Sequence, residues 1–133
     1  MIPYGKQSIS KEDINSVVEV LNSPMLTQGS VVPDFESEVS DYCSSEYAVA
    51  TNNATSALHI ACMALDVKSG DIVWTSPITF VASANCAKYC GATVDFVDVE
   101  EVTGLISIPA LEKKLLIAFE NNCLPKIIIP VHF

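Results

Sequence analysis

No arginine occurs anywhere in the 133 residues, and the only formal side-chain cations are seven scattered lysines. Against 16 carboxylates they leave a net charge of −9. A protein that reads a phosphate backbone needs a basic stripe, so nucleic-acid binding is excluded as a reading. Docking to an anionic membrane surface is disfavoured for the same reason. Long apolar runs are missing too. No stretch approaches the roughly 20 residues of a membrane-spanning helix. Residues Met1 to Tyr4 lead into a polar helix rather than a basic segment and an apolar run, so no secretory signal is read. Glycine is scarce, and none of the five builds a G-x-G-x-x-G turn. The five cysteines (Cys43, Cys62, Cys86, Cys90, Cys123) have no metal-ligand spacing. Buried free thiols in a reducing, cytoplasmic setting are the expectation, with no metal site.

What is present is apolar. Half of the residues are hydrophobic and the mean hydropathy is +0.36. That fits strands buried on both faces, or a surface that something else covers. Ser10 to Asp13, "SKED", resembles a capping box. Ile14, Val17, Val18 and Leu21 then form one helical stripe. After the break at Pro24 and Gly29, a second helix is expected from near Pro33, with Phe35, Val39 and Tyr42 on its apolar side. From there strands and helices alternate. Strands are expected at 47–51, 71–75, 93–99 and 126–131; helices at Thr55–Asp66, Thr79–Cys90 and Pro109–Asn121. This order predicts an α/β fold of three layers, a mostly parallel sheet with flanking helices. Residues 1–45 read as an N-terminal helical segment, and 46–133 as four successive strand/helix units.

A parallel sheet gathers its ligands at the C-terminal ends of the strands. The residues on that edge are Thr51 to Ser56, Thr75 to Phe80, Asp98 to Thr103, and His132 with Phe133. In "TNNATSALHI" the helix start offers free amides, small side chains and the hydroxyls of Thr55 and Ser56, enough to hold a phosphate without a cation. The simpler reading is that Asn53 or Thr55 caps the helix. "SPITF" puts the aromatic Phe80 one strand over, where it can stack on a flat ring or serve as ordinary core. Together the two loops point to a phosphorylated aromatic cofactor.

Read together, "LTQG", "NNATSALHIA", "TSPITFVASANC" and "VDFVDV" resemble the N-terminal part of the DegT/DnrJ/EryC1/StrS sugar aminotransferases. These are fold-type I enzymes that use pyridoxal 5'-phosphate, and the resemblance runs along essentially the whole chain. It implies that Ala54 and Thr55 cradle the cofactor phosphate and that Phe80 stacks on its ring. It implies that Thr27, Gln28 and Gly29 lie near a nucleotide-sugar. Ala54 stands where the family commonly has glycine. The implied reaction moves an amino group from glutamate onto a 4-keto-6-deoxy UDP-N-acetylhexosamine, as on the route to pseudaminic acid, a flagellin-modifying sugar. A homo-oligomer is implied as well.

Two parts of that chemistry have no counterpart here. Transamination needs a lysine that bonds the cofactor covalently and a carboxylate beside its ring nitrogen. In the family both lie further along than Phe133. Lys6, Lys11, Lys68, Lys88, Lys113, Lys114 and Lys126 all fall away from the ligand edge in this reading. Asp98, Glu100 and Glu101 fit a solvated loop, His132 a strand end, and His59 a helix interior or surface. The closing "KIIIPVHF" is a buried-type strand with nothing after it to cover it. The chain therefore reads as a truncated front portion, inactive by itself and prone to self-association through its apolar face. Two alternatives stand beside it: a self-contained nucleotide- or flavin-binding domain, and a non-catalytic interaction module.

Overall fold

Trp74 and Val73 are adjacent in sequence and point to opposite sides of one sheet, and that alternation organises the second half of the molecule. The computed structural model describes residues 5–132. Met1 to Tyr4, and Phe133 at the expected ligand edge, lie outside the described residues. The chain forms two compact units, one running through Ala50 and one from Thr51.

The first unit holds α1 (Lys11–Leu21) and α2 (Val31–Cys43). The capping box forms as expected: Ser10 Oγ accepts from Asp13 N at 3.1 Å, and Asp13 Oδ2 accepts from Ser10 N at 2.8 Å. α2 begins two residues before Pro33. A proline in the first helical turn removes an N–H that has no intrahelical partner anyway, so Pro33 is tolerated inside the helix. Between the helices Gln28 adopts φ 55° and Gly29 sits against backbone: a Cβ there would lie 2.7 Å from Met25 O. Gly29→Ala is expected to cost roughly 1–3 kcal/mol, the range for overpacking. The check is faster amide exchange in α2; unchanged exchange would show that the turn opens freely.

The strand expected at 47–51 does not form. The Ala50 amide is given instead to Glu36 Oε1 of α2, at 2.7 Å. A strand needs a ladder partner for its alternate N–H and C=O groups. Here the key amide is taken by a side chain, and Tyr47 and Val49 stay exposed.

The second unit contains α3 (Ala54–Ala64), β1 (Ile72–Thr75), α4 (Ala82–Tyr89), β2 (Thr93–Phe96), α5 (Ile108–Glu120) and β3 (Ile127–Ile129). All strand pairs are parallel, in the order β2-β1-β3, with Trp74 opposite Asp95 on one side and Ile128 on the other. Each element matches its expected counterpart to within three residues at either end, with α3 and α5 each starting one residue earlier than expected. Val99 leaves the strand and makes an isolated antiparallel bridge to Ile106. One face of the sheet packs Val73, Val94, Ile127 and Ile129 with Leu58, Cys62, Cys86 and Ala87 of α3 and α4. The other packs Ile72, Trp74 and Ile128 with Leu111, Leu115 and Ala118 of α5. Lys114 lies over the Trp74 ring, 4.9 Å from its centroid, and pairs with Asp95 at 2.7 Å. Its hydrogen bond, more than any other contact, holds the Asp95 carboxyl below the usual carboxylate range. The result is three layers: helices, a parallel sheet, a helix.

Candidate functional site

The chain leaves β1 for β2 through α4 on one face and returns to β3 through α5 on the other. The strand order thus reverses at β1. Such a switch point opens a crevice at the C-terminal edge. Thr75 Oγ1 donates to Ile129 O at 2.9 Å and ties the two strand ends together there.

The helix before β1 and the helix after it both run back along the sheet, so their N-terminal ends lie toward that same edge. At the start of α3, Asn53 is the cap. Its backbone is extended (φ −168°), and its Oδ1 accepts from Ser56 N at 2.8 Å. Thr51 Oγ1 donates to Asn53 O at 2.8 Å and holds the turn. Capping therefore falls to Asn53 and not to Thr55. Asn53→Ala is expected to cost about 1 kcal/mol, read as a lower urea midpoint of this unit; an unmoved midpoint would make the cap dispensable.

With Asn53 in that role, Ala54 and Thr55 occupy the first two helical positions, where backbone N–H groups lack intrahelical acceptors. Among the described residues no hydrogen bond engages Thr55 Oγ1. Ala54 has no positive φ, so alanine in place of glycine is unstrained there. Phe80 lies just before α4 with 73 % of its surface exposed; it is not core. Behind it Thr79 Oγ1 and Ser83 Oγ are 2.8 Å apart, and Phe80 O accepts from Ser83 N at 3.1 Å, fixing the turn that presents the ring. These observations fit a phosphate held at the mouth of α3, with a flat ring available to Phe80.

Other expected residues fall elsewhere. Thr27, Gln28 and Gly29 belong to the first unit, in the turn between α1 and α2. Asp98 and Glu100 are taken by their own loop: Asp98 Oδ1 accepts from Val99 N, and Glu100 Oε2 from Thr103 Oγ1. Glu101 and His132 are exposed. His59 packs edge-on against Tyr89, ring centroids 5.3 Å apart. Lys68 and Lys126 pair with Asp66, and Lys126 also with Asp71, before β1 begins. Sequence reasoning did not single out Ser76. It is fully buried directly after β1, and its Oγ has no partner among the described residues. Its place after a strand and before Pro77 was the only signal.

Residues 7–133 match the model of the DegT/DnrJ/EryC1/StrS aminotransferase family. The chain belongs to this family. A relative in Campylobacter jejuni, UDP-4-amino-4,6-dideoxy-N-acetyl-beta-L-altrosamine transaminase, is 40 % identical over 121 residues, 91 % of this chain and 32 % of its own length. Helicobacter pylori PseC, an aminotransferase involved in the biosynthesis of pseudoaminic acid, superposes with TM-score 0.83 at 35 % identity, over 96 % of this chain and 33 % of that one. A sugar aminotransferase of Streptococcus pneumoniae, Spr1654, in its PMP-form, gives TM-score 0.82 at 30 % identity, over 97 % of this chain and 31 % of its own. The same protein is also known in a PLP-form. The chain thus spans about a third of the length of the relatives it matches. Family membership displaces the self-contained nucleotide or flavin domain. Among the described residues no helix is long and apolar enough to cross a membrane.

Proposed function

We propose that this chain supplies the phosphate and ring contacts of a pyridoxal-phosphate site in a sugar-nucleotide aminotransferase. The amino group passes from glutamate to a 4-keto-6-deoxy UDP-N-acetylhexosamine; the names of the Campylobacter and Helicobacter relatives support the sugar side of this reading. The observation that carries the reading is the Asn53-capped start of α3, with Ala54 and Thr55 in its first turn, on the same sheet edge as an exposed Phe80.

In this proposal the Ala54 and Thr55 amides and the Thr55 hydroxyl bind the phosphate dianion, helped by the positive end of the helix dipole. Phe80 covers one face of the ring, sets its tilt and excludes water from that face. Bound pyridoxal phosphate supplies the electron sink for moving the amino group. Thr27, Gln28 and Gly29 are proposed to meet the nucleotide-sugar. None of the seven lysines is proposed as the covalent partner, and the whole enzyme is proposed as a homo-oligomer. Residues 46–133 are then proposed to form part of its large domain.

The test compares pyridoxal phosphate with pyridoxal as ligands of the chain, by quenching of intrinsic fluorescence. The expected result is saturable binding of the phosphorylated form, competed by inorganic phosphate, and much weaker binding of pyridoxal. Equal binding of both would contradict a phosphate site at α3.

A further inference from the structure

Three of the five cysteines meet between α3 and α4, in the body of the helices rather than at the ligand edge. Cys62 and Cys86 are both buried in the cluster around Val73, and Cys90, at the C-terminal end of α4, packs against it half-buried. The Cys86 thiol donates to Ser83 O at 3.4 Å. Burial, and next to it hydrogen-bonding contact with Cys86, push the Cys62 thiol up to about 12. A thiol so protonated and enclosed is not where a reagent from solution reacts first. Cys90 is the member of the group that solvent reaches. Among the described residues no group of three or more His, Cys, Asp or Glu side chains is arranged to hold a metal ion, which leaves the chemistry of the thiols themselves.

We propose that this cluster is a thiol relay: a small disulfide such as oxidised glutathione reacts at Cys90, and Cys62 then closes a disulfide that ties α3 to α4. In the first step the Cys90 thiolate attacks one sulfur of the oxidant. A mixed disulfide forms and one glutathione thiolate leaves. In the second step the Cys62 sulfur attacks Cys90 Sγ, and its proton passes to the second glutathione, which leaves as thiol. Two protein thiols are oxidised, and one molecule of oxidant is reduced to two thiols. The second step is the slow one, because the Cys62 thiolate is scarce at neutral pH. The link fixes the spacing of two helices whose N-terminal ends carry Thr55 and Phe80. It stands on the cysteine cluster alone and is independent of what those ends bind.

The test uses the full chain carrying Cys43→Ser and Cys123→Ser, which removes the two exposed thiols. It is incubated with oxidised glutathione, quenched in acid at intervals, and followed by intact mass and peptide mapping. The expected course is one glutathionyl adduct at Cys90, then a species lighter than the reduced chain by the two hydrogens of one disulfide. Its map joins the Cys62 and Cys90 peptides, and dithiothreitol reverses it. Adding Cys62→Ala arrests the reaction at the adduct, with the helical circular dichroism retained. A final map without the Cys62–Cys90 link, or an adduct that never resolves in the parent, overturns the relay. The mapping of the parent decides the matter even if the Cys62 variant does not fold.

Discussion

Trp74→Ala is expected to destabilise the second unit by about 3–5 kcal/mol, the range for deleting a large buried aromatic side chain. Trp74 is 2 % exposed and sits on the central strand. Its ring fills the space between the sheet and α5, against Val97 and Ala118, and underlies the Lys114 ammonium. Alanine leaves a cavity that three short strands cannot close by relaxing, because β1 is pinned on both sides by parallel ladders. A small domain has a total stability of only about 5–15 kcal/mol, so the loss removes a large fraction of it. Urea unfolding followed by far-UV circular dichroism should show the midpoint falling steeply or the cooperative transition disappearing. A loss under 1 kcal/mol would mean that α5 is not held by this contact.

Thr55→Val is expected to weaken pyridoxal-phosphate binding about 10-fold or more. The substitution keeps the shape of the side chain and removes the hydroxyl. A hydrogen bond to a charged group contributes about 1.5–3 kcal/mol, and 1.4 kcal/mol is a factor of ten in affinity. Stability should hardly change, because Asn53 and not Thr55 caps the helix. The two effects separate: Asn53→Ala acts on the urea midpoint, Thr55→Val on the ligand titration. Unchanged affinity in the valine variant would leave Thr55 as an ordinary helical residue.

The parts of the fold that were legible in the sequence are those set by local chemistry. "SKED" gave the capping box because both of its hydrogen bonds lie within four residues. The strands around Trp74 and Ile128 were legible because a parallel strand buried on both faces must be apolar throughout. The segment at 47–51 was not, because its fate turns on Glu36, fourteen residues before Ala50 in the sequence. "YAVAT" has the composition of a strand, and composition cannot say whether an amide finds a strand or a carboxylate. The strand expected to run through Val99 stops at Phe96 for a related reason. Val97 is buried, yet Asp98 bonds the next amide with its own side chain and turns the chain away.

For the candidate site, the sequence named the residues and left their division of labour open. Asn53 and Thr55 are both competent caps by type; only the extended backbone of Asn53 assigns the task. Phe80 could have been core, and its exposure at the edge is a tertiary fact. Ser76 was placed on the edge by its position alone; that its hydroxyl is buried without a partner is visible only once the strands are packed around it.

The central claim is that the chain holds pyridoxal phosphate by phosphate and ring while none of its lysines bonds it. The measurement that tests this most directly is borohydride reduction of the chain saturated with pyridoxal phosphate, followed by intact mass and peptide mapping. The account predicts saturable binding before reduction and no stoichiometric adduct on any lysine after it. A single lysine carrying the reduced cofactor in full yield would contradict it, and would place a covalent partner among the seven lysines of this chain.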